Sequence, residues 1–381
     1  MTNLAQFPRL PLNPPPPYTR WTPPDRAASS SPGGVEGGAT ASRSLIVEPT
    51  VAVIGATGAV GDVFLRVAAE REFPMKKLKL LASSRSAGTV LHYRGQPITV
   101  EETTEASLED ADLVFCSASS EVSKRWGPWL RERGKVMIDD GSAFRMDPTV
   151  PLVIPEVNGD DLEWHQGIIS IPNCTTTPLA MALNAMRQVA PLYRVTAATY
   201  QAVSGTGAAA VRELNAQVAA IGRGEPVPPP TVYPVQIAMN VLPQVDDFDE
   251  DDYTKEELKM RNETRKILHE QDLRFAATCV RVPVAITHAE VVHVEFTREA
   301  PMAQLHQALK NHPGIVLIED PKQYVTPLQV EGDDRTYVCR LRPDRTVDHG
   351  VTFWCLTDNL RKGAATNAIQ IAEELLKRGK I

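Results

Sequence analysis

The sequence lacks any apolar run approaching the ~18 residues a membrane-spanning helix needs, so no transmembrane helix and no membrane partner is expected. It also lacks an excess of positive charge. Its 40 Lys and Arg stand against 47 Asp and Glu, a formal net charge of −7, which argues against a protein that grips nucleic acid by its phosphates. No Cys-x-x-Cys pair is present, which removes the usual zinc and redox-dithiol patterns. The only close histidine pair is His288 and His293, and no metal is expected. Cysteine itself is scarce, five residues widely scattered. Cys116, Cys279, Cys339 and Cys355 each lie in a short strand-like run and read as reduced core thiols, which places the chain in a reducing, cytoplasmic compartment.

What is present begins with length: 381 residues at 43% hydrophobic content suffice for two domains. Residues 1–48 stand apart, with Pro14-Pro15-Pro16-Pro17, Ser29-Ser30-Ser31-Pro32-Gly33-Gly34 and few aliphatics, and should be disordered. Arg9, Arg20, Arg26 and Arg43 against Asp25, Glu36 and Glu48 are compatible with an organelle transit peptide, but the prolines oppose the amphipathic helix such a peptide needs. The segment has no apolar stretch suited to secretion.

Order begins at Thr50-Val51-Ala52-Val53-Ile54, a β-branched run that reads as a buried parallel strand. It leads into Gly55-Ala56-Thr57-Gly58-Ala59-Val60-Gly61 and then the helical pattern from Val63. Strand, glycine loop and helix together predict a dinucleotide-binding unit, with a pyrophosphate resting on the helix start. The spacing is G-x-x-G-x-x-G, so a tight structural turn is the alternative. The next strand, from Leu78, ends at Ser83-Ser84-Arg85-Ser86, where an NAD-preferring site would carry an acid. Hydroxyls and a guanidinium suit a 2′-phosphate, which favours NADP. Further strands at 111–116 and 135–140 continue the sheet, the second leading to Arg145, a residue for an anion or for a surface salt bridge.

The centre of the chain is Ser170-Ile171-Pro172-Asn173-Cys174-Thr175-Thr176-Thr177-Pro178, a polar turn ahead of a strongly helical run. With Thr177 as N-cap and Pro178 as first helical residue, Cys174 lies beside the unpaired N–H groups of a helix start. That environment favours thiolate and offers donors to an oxyanion, marking Cys174 as a candidate nucleophile. Beyond it, 195–203 reads as a strand, and Ser204-Gly205-Thr206-Gly207 opens a second glycine turn into a helix. The acidic run 246–252 reads as a solvated loop, and Thr254 with Glu257 forms a capping box. Segments 278–284, 290–297, 315–319 and 336–341 alternate as strands of an α+β domain, and the final helix, 364–378, returns toward the first. The resulting fold class is α/β, a Rossmann-type NADP-binding domain (49–173 and 357–381) joined to a second, α+β domain (174–356) that begins at Cys174.

Four stretches together resemble the aspartate-β-semialdehyde dehydrogenase family: the first glycine loop; Pro155-Glu156-Val157-Asn158 with Pro172-Asn173-Cys174-Thr175-Thr176; Gln201-Ala202-Val203-Ser204-Gly205-Thr206-Gly207; and Arg281-Val282-Pro283-Val284-Ala285-Ile286-Thr287-His288. The likeness runs from about Thr50 onward, and the tail has no counterpart. It implies Cys174 as nucleophile, His288 as general acid/base and Gln201 as the residue orienting the acyl intermediate. It implies Arg281 for the substrate carboxylate, Glu257 for its ammonium, and Arg145, Asn173 and Lys259 for phosphate. Cofactor contacts would come from Gly55, Thr57, Gly58, Ala59, Val60 and Gly61, from Ser83, Arg85 and Ser86, from Ser204 and Gly205, and from Asn359. The reaction implied is reduction of L-aspartyl 4-phosphate to L-aspartate 4-semialdehyde through a Cys174 thioester, by a homodimer or dimer of dimers, in lysine, methionine and threonine biosynthesis.

Taken singly, His288 reads as a core histidine, Glu257 as a helix cap and Lys259 as a surface charge. The rival readings are a reductase of N-acetylglutamyl phosphate, a phosphorylating dehydrogenase of the glyceraldehyde-3-phosphate type, and a non-catalytic NADP-binding protein. The first has no ammonium for a glutamate to meet, and the second would carry an acid near Ser83.

Overall fold

A computed structural model describes residues 48–249 and 251–381, and the expectation of a disordered tail lies, Glu48 apart, outside the described residues. The run Thr50–Ile54 forms strand β1, buried at every position. Its alternate side chains serve two cores. Val51 and Val53 share one with Val63 and Phe64, while Ala52 and Ile54 share another with Trp126 and Leu130. That is why the strand is apolar throughout and not alternating. The strands that follow are β2 (Lys77–Ala82), the hairpin β3 (Val90–Tyr93) and β4 (Gln96–Thr99), β5 (Glu101–Glu102), β6 (Leu113–Cys116), β7 (Val136–Asp139) and β8 (Ile168–Ser170). Six of them make one sheet in the order β5-β2-β1-β6-β7-β8, every pair parallel. The order reverses about β1, which opens a crevice beyond the carboxyl ends of β1 and β6. Its helices are α1 (Ala59–Glu70), α2 (Glu105–Leu108), α3 (Ser120–Glu132) and α4 (Pro155–Asn158).

The second half comprises α5 (Thr176–Arg187), β9 (Leu192–Gln201), α6 (Ala208–Arg223), α7 (Lys255–Leu268), β10 (Arg274–Arg281), β11 (His288–Phe296), α8 (Met302–Asn311), β12 (Ile315–Ile318), α9 (Pro327–Val330), β13 (Thr336–Asp344) and β14 (Gly350–Thr357). Its sheet is mixed, in the order β10-β9-β11-β14-β13-β12. Leu179 and Leu183 of α5, Met260 and Ile267 of α7 and Leu305 of α8 pack on Val195, Val292 and Phe353 from one face of that sheet. A π-helical turn, Arg361–Ala365, then leads to α10 (Thr366–Lys377), whose Ile369 and Leu375 rejoin the core of Val51 and Phe64. The α/β class and the returning terminal helix thus follow the expectation. Among the described residues, no helix is long and apolar enough to cross a membrane.

The start of α5 differs from expectation. The helix begins at Thr176, with Thr175 before it and no side chain of its own as cap. The Asn173 carboxamide instead accepts the Thr175 N–H at 3.0 Å. Pro178 lies two residues further into the first turn than expected, still among positions whose N–H has no helical partner.

Candidate active site

Cys174 sits in the turn between β8 and α5, packed against the π-helical turn: a Cβ added to Gly363 would lie 3.0 Å from the Cys174 Cβ. A cavity of about 420 Å³ opens above it. Its wall is shared by Val60 at the head of α1, Asp140 and Arg145 after β7, Gln201 at the end of β9, Arg281 at the end of β10, His288 at the start of β11, and Glu256 and Lys259 on α7. Asn173, Ser204, Gly205 and Asn359 complete the predicted residues that reach it. The carboxyl ends of strands from both sheets therefore converge on one sulfur.

Most of the cavity's N–H donors are held by carboxylates. Glu256, only 5% exposed, accepts from Asn173 Nδ2 at 3.0 Å, Gln201 Nε2 at 2.9 Å and Lys259 Nζ at 3.3 Å. Lys259 also donates to Asp246 at 2.6 Å. Burial, which lowers the Lys259 pKa, is outweighed by these two carboxylates, so the ammonium is held above its ordinary value. Arg145 donates to Glu263 at 3.1 Å and to the Asp140 carbonyl at 2.8 Å, and its Nε is buried without a partner. It is not the exposed loop residue the sequence suggests but a buried cation. Arg281 donates to the Ala202 carbonyl at 2.7 Å and likewise keeps a buried, unpartnered Nε.

Glu257 is not in the cavity. One of its carboxylate oxygens accepts the Thr254 N–H at 2.8 Å and the other the Cys279 N–H at 2.9 Å, so it closes the capping box and ties α7 to β10. Its neighbour Glu256 faces the cavity instead. The signal for this was available: Glu256 and Lys259 are three apart and share a helix face, whereas positions two apart do not. Asp246, assigned to a solvated loop, also lines the cavity, as does Asp140. Burial pushes the Asp140 pKa up, against the pull of Arg145 and the Ser117 hydroxyl.

The ionisation of Cys174 is a second correction. Burial and then Glu256 raise the thiol to about 12, while Arg145 and Arg281 pull it down. Burial first, and the nearby carboxylates second, thus oppose the ionisation that a helix start favours. His288 is fully buried, and burial together with Arg281 keeps its pKa well below the ordinary histidine value.

The residues expected to meet a cofactor from outside the cavity lie at the carboxyl ends of β1 and β2. Gly55 has φ +85°, and a Cβ there would meet the Ser117 carbonyl oxygen at 2.1 Å; its N–H bonds to Leu81 of β2, the strand that leads to Ser83, Arg85 and Ser86. A Cβ on Gly61 would lie 2.6 Å from the Gly55 oxygen. No side chain caps α1, so its first amides stay available to a pyrophosphate, and the loop fits a dinucleotide. Ser204 and Asn359 bond to each other at 3.0 Å where the cavity meets this crevice.

A dinucleotide loop at the reversal point of a parallel sheet, opening onto a cysteine cavity walled by a second sheet, defines an oxidoreductase of nicotinamide dinucleotides. Residues 50–165 match the semialdehyde dehydrogenase NAD binding domain and residues 183–362 the semialdehyde dehydrogenase dimerisation domain. An aspartate-semialdehyde dehydrogenase of Aquifex aeolicus is 46% identical over 336 residues, 87% of this chain and 99% of its own length. One of Bacillus subtilis is 45% identical over 337 residues, 86% of this chain and 97% of its own. The crystal structure of aspartate semialdehyde dehydrogenase II from Vibrio cholerae, complexed with ASA, superposes with a TM-score of 0.84 at 40% identity, covering 87% of this chain and 99% of that one. The chain belongs to the aspartate-semialdehyde dehydrogenase family.

Proposed function

We propose that the protein reduces L-aspartyl 4-phosphate to L-aspartate 4-semialdehyde, through a thioester on Cys174 and with NADP as its nicotinamide cofactor, in lysine, methionine and threonine biosynthesis. The observation that carries the reading is that Cys174, two arginines, a lysine and a buried glutamate line one cavity at the mouth of the dinucleotide crevice. The reduced nicotinamide supplies the hydride that takes the thioester to the aldehyde level.

The chain's own groups divide the substrate. Arg281 receives the α-carboxylate, in the two-pronged way a guanidinium suits. Glu256, and not Glu257, meets the ammonium. Arg145, Asn173 and Lys259 hold the phosphate, and Gln201 orients the acyl group. A sulfur suits both halves because it is a strong nucleophile and a good leaving group. The cofactor rests on Gly55, Thr57, Gly58, Ala59, Val60 and Gly61, with Ser204, Gly205 and Asn359 toward the nicotinamide. Ser83, Arg85 and Ser86 form an exposed to half-buried turn with no carboxylate among them, which favours the 2′-phosphate of NADP. The reading includes a homodimer, or a dimer of dimers, in the cytoplasm. An N-acetylated substrate would bring Glu256 no ammonium to meet.

The test is phosphate-dependent formation of NADPH from aspartate semialdehyde and NADP, followed at 340 nm alongside NAD. Wild type should turn over and Cys174→Ala should not, with its circular dichroism unchanged. Arg85→Ala should lower kcat/KM with NADP about 10-fold to 100-fold, the worth of one charge-assisted contact, and leave NAD unaffected. Equal losses with both cofactors would refute the 2′-phosphate assignment.

A further inference from the structure

We propose that the hydroxyls of Thr206 and Tyr233 act as one unit that completes the carboxylate site: Tyr233 donates to the Thr206 oxygen, and the Thr206 O–H donates to the substrate carboxylate held by Arg281. The proposal rests on the reading of Arg281 as the partner of that carboxylate. Its ground is a contact between two segments: Thr206 Oγ1 and the Tyr233 hydroxyl lie 2.9 Å apart. Among the described residues this is the one hydrogen bond either hydroxyl makes. Each hydroxyl carries one proton, and one proton fills the bond between them, so the pair always keeps one O–H to give.

The pair sits where two cavities join. A second cavity, of about 180 Å³, adjoins the one above Cys174; Thr206, Val245, Asp246 and Arg281 border both, and Tyr233 walls the smaller one. The turn that carries Thr206 is built against the guanidinium. A Cβ on Gly205 would lie 3.2 Å from Arg281 Nη1, and the Ala202 carbonyl accepts both from Gly205 N–H at 3.3 Å and from Arg281 Nη1 at 2.7 Å. A carboxylate on Arg281 therefore comes within reach of the Thr206 side chain. Asp246, the acid on the shared border, is engaged by Lys259 at 2.6 Å.

Tyr233 is brought to this place by bonds at both ends of its segment. Glu213 of α6 accepts the N–H groups of Thr231 and Val232 at 2.6 and 2.7 Å and the Thr231 hydroxyl at 2.9 Å. Further on, Leu242 and Arg281 exchange both backbone bonds, at 2.9 and 2.8 Å. The segment is thus strapped from α6, which starts two residues after Thr206, to the end of β10. Burial raises the Tyr233 pKa, against the pull of Thr206 and Arg281, so the phenol keeps its proton. A phenol is a stronger acid than an alkyl alcohol. The bond between the two therefore runs from Tyr233 to Thr206 and leaves the Thr206 proton to spare.

A carboxylate has room for such a donor. Its two oxygens offer about four acceptor positions, of which a guanidinium fork fills two. Part of the Arg281 fork is already spent on Ala202. A third donor, fixed by Tyr233, sets the plane of the carboxylate without adding a charge to the cavity. Thr206 touches the substrate in this arrangement, and Tyr233 is a positioning residue that acts through it.

The test is steady-state kinetics on the full-length protein, with KM measured separately for aspartate semialdehyde, phosphate and NADP. Thr206→Val should raise KM for aspartate semialdehyde about 10-fold, the worth of a hydrogen bond to a charged group, with kcat and the other two KM values within about twofold of wild type. Thr206→Ser, which keeps the O–H, should restore the wild-type KM. Tyr233→Phe should raise the same KM about threefold in the wild-type background and add nothing in the Thr206→Val background, as expected of two groups that act as one. An unchanged KM in Thr206→Val, a rise that falls on NADP or phosphate instead, or additive effects of the two variants overturns the proposal. Arg281→Lys separates the two claims. If it leaves KM for aspartate semialdehyde unchanged, the carboxylate reading and this proposal fall together. A large rise there beside a silent Thr206→Val refutes only this one.

Discussion

Glu256 engages three donors of the cavity: Asn173, Gln201 and Lys259 all direct N–H groups at its carboxylate. A substrate that carries both an ammonium and a phosphate can draw the carboxylate to one and leave the donors to the other. Glu256→Gln should therefore raise KM for aspartate semialdehyde about 10-fold to 100-fold, the loss of a charge-assisted bond of ~1.5–3 kcal/mol. Glu257→Gln should instead cost about 1–2 kcal/mol in urea unfolding, as loss of a helix cap does, with KM within about twofold of wild type. Initial rates and melts on both variants would show the assignment reversed if the pattern were opposite. The Cys174 thiol makes a second prediction at this scale. Its pKa is raised from 9.0 to about 12 in the fold, so its contribution to stability is whole below the unfolded value and is lost as pH rises toward the folded one. Labelling of Cys174 by iodoacetamide should accordingly be slow at pH 7 and climb without a plateau to pH 10, read by mass spectrometry. A plateau near pH 7 would show a thiolate already present.

At the scale of elements, the head of α1 is the most legible feature and the most tightly built. Strand, glycine loop and helix were readable because each depends on a few neighbouring residues and their periodicity. A Cβ on Gly61 would meet the Gly55 and Ala56 oxygens at 2.6 and 2.7 Å, so Gly61→Ala must push the helix off the loop. The expected cost is about 1–3 kcal/mol, with cofactor affinity in a fluorescence titration falling more than tenfold. Gly222→Ala in α6, where nothing lies within 4 Å of the added carbon, should leave cofactor binding intact and stabilise by up to about 1 kcal/mol. Helix α7 was legible from its Thr254 and Glu257 capping box. Helix α3 was not, because Pro128 stands inside it, and α8 was not, because Pro301 precedes it without a polar cap. The acidic run before α7 shows the same limit: its composition says loop, and only folding brings Asp246 against Lys259.

Across the whole molecule, the π-helical turn between β14 and α10 ties the two sheets together beneath the sulfur. Lys362, 1% exposed, donates to Glu156 of α4 at 2.7 Å, Asn367 at 3.0 Å and Gln370 of α10 at 2.6 Å. Removing it strands a buried carboxylate, so Lys362→Met should lower stability by about 3–5 kcal/mol in urea unfolding. Lys380→Met, half-buried beside the exposed Glu163, should cost less than about 1 kcal/mol. A small effect at Lys362 would mean that Glu156 finds water or another partner. By itself the sequence determined the class of fold, the glycine loop, the cysteine turn and the family, because these are written in local pattern and in spacing along the chain. Only the tertiary structure decided which of two adjacent glutamates faces the cavity and which charged groups surround the Cys174 sulfur. Those depend on burial and on donors from distant segments, and a shift of one residue around a helix suffices to change them.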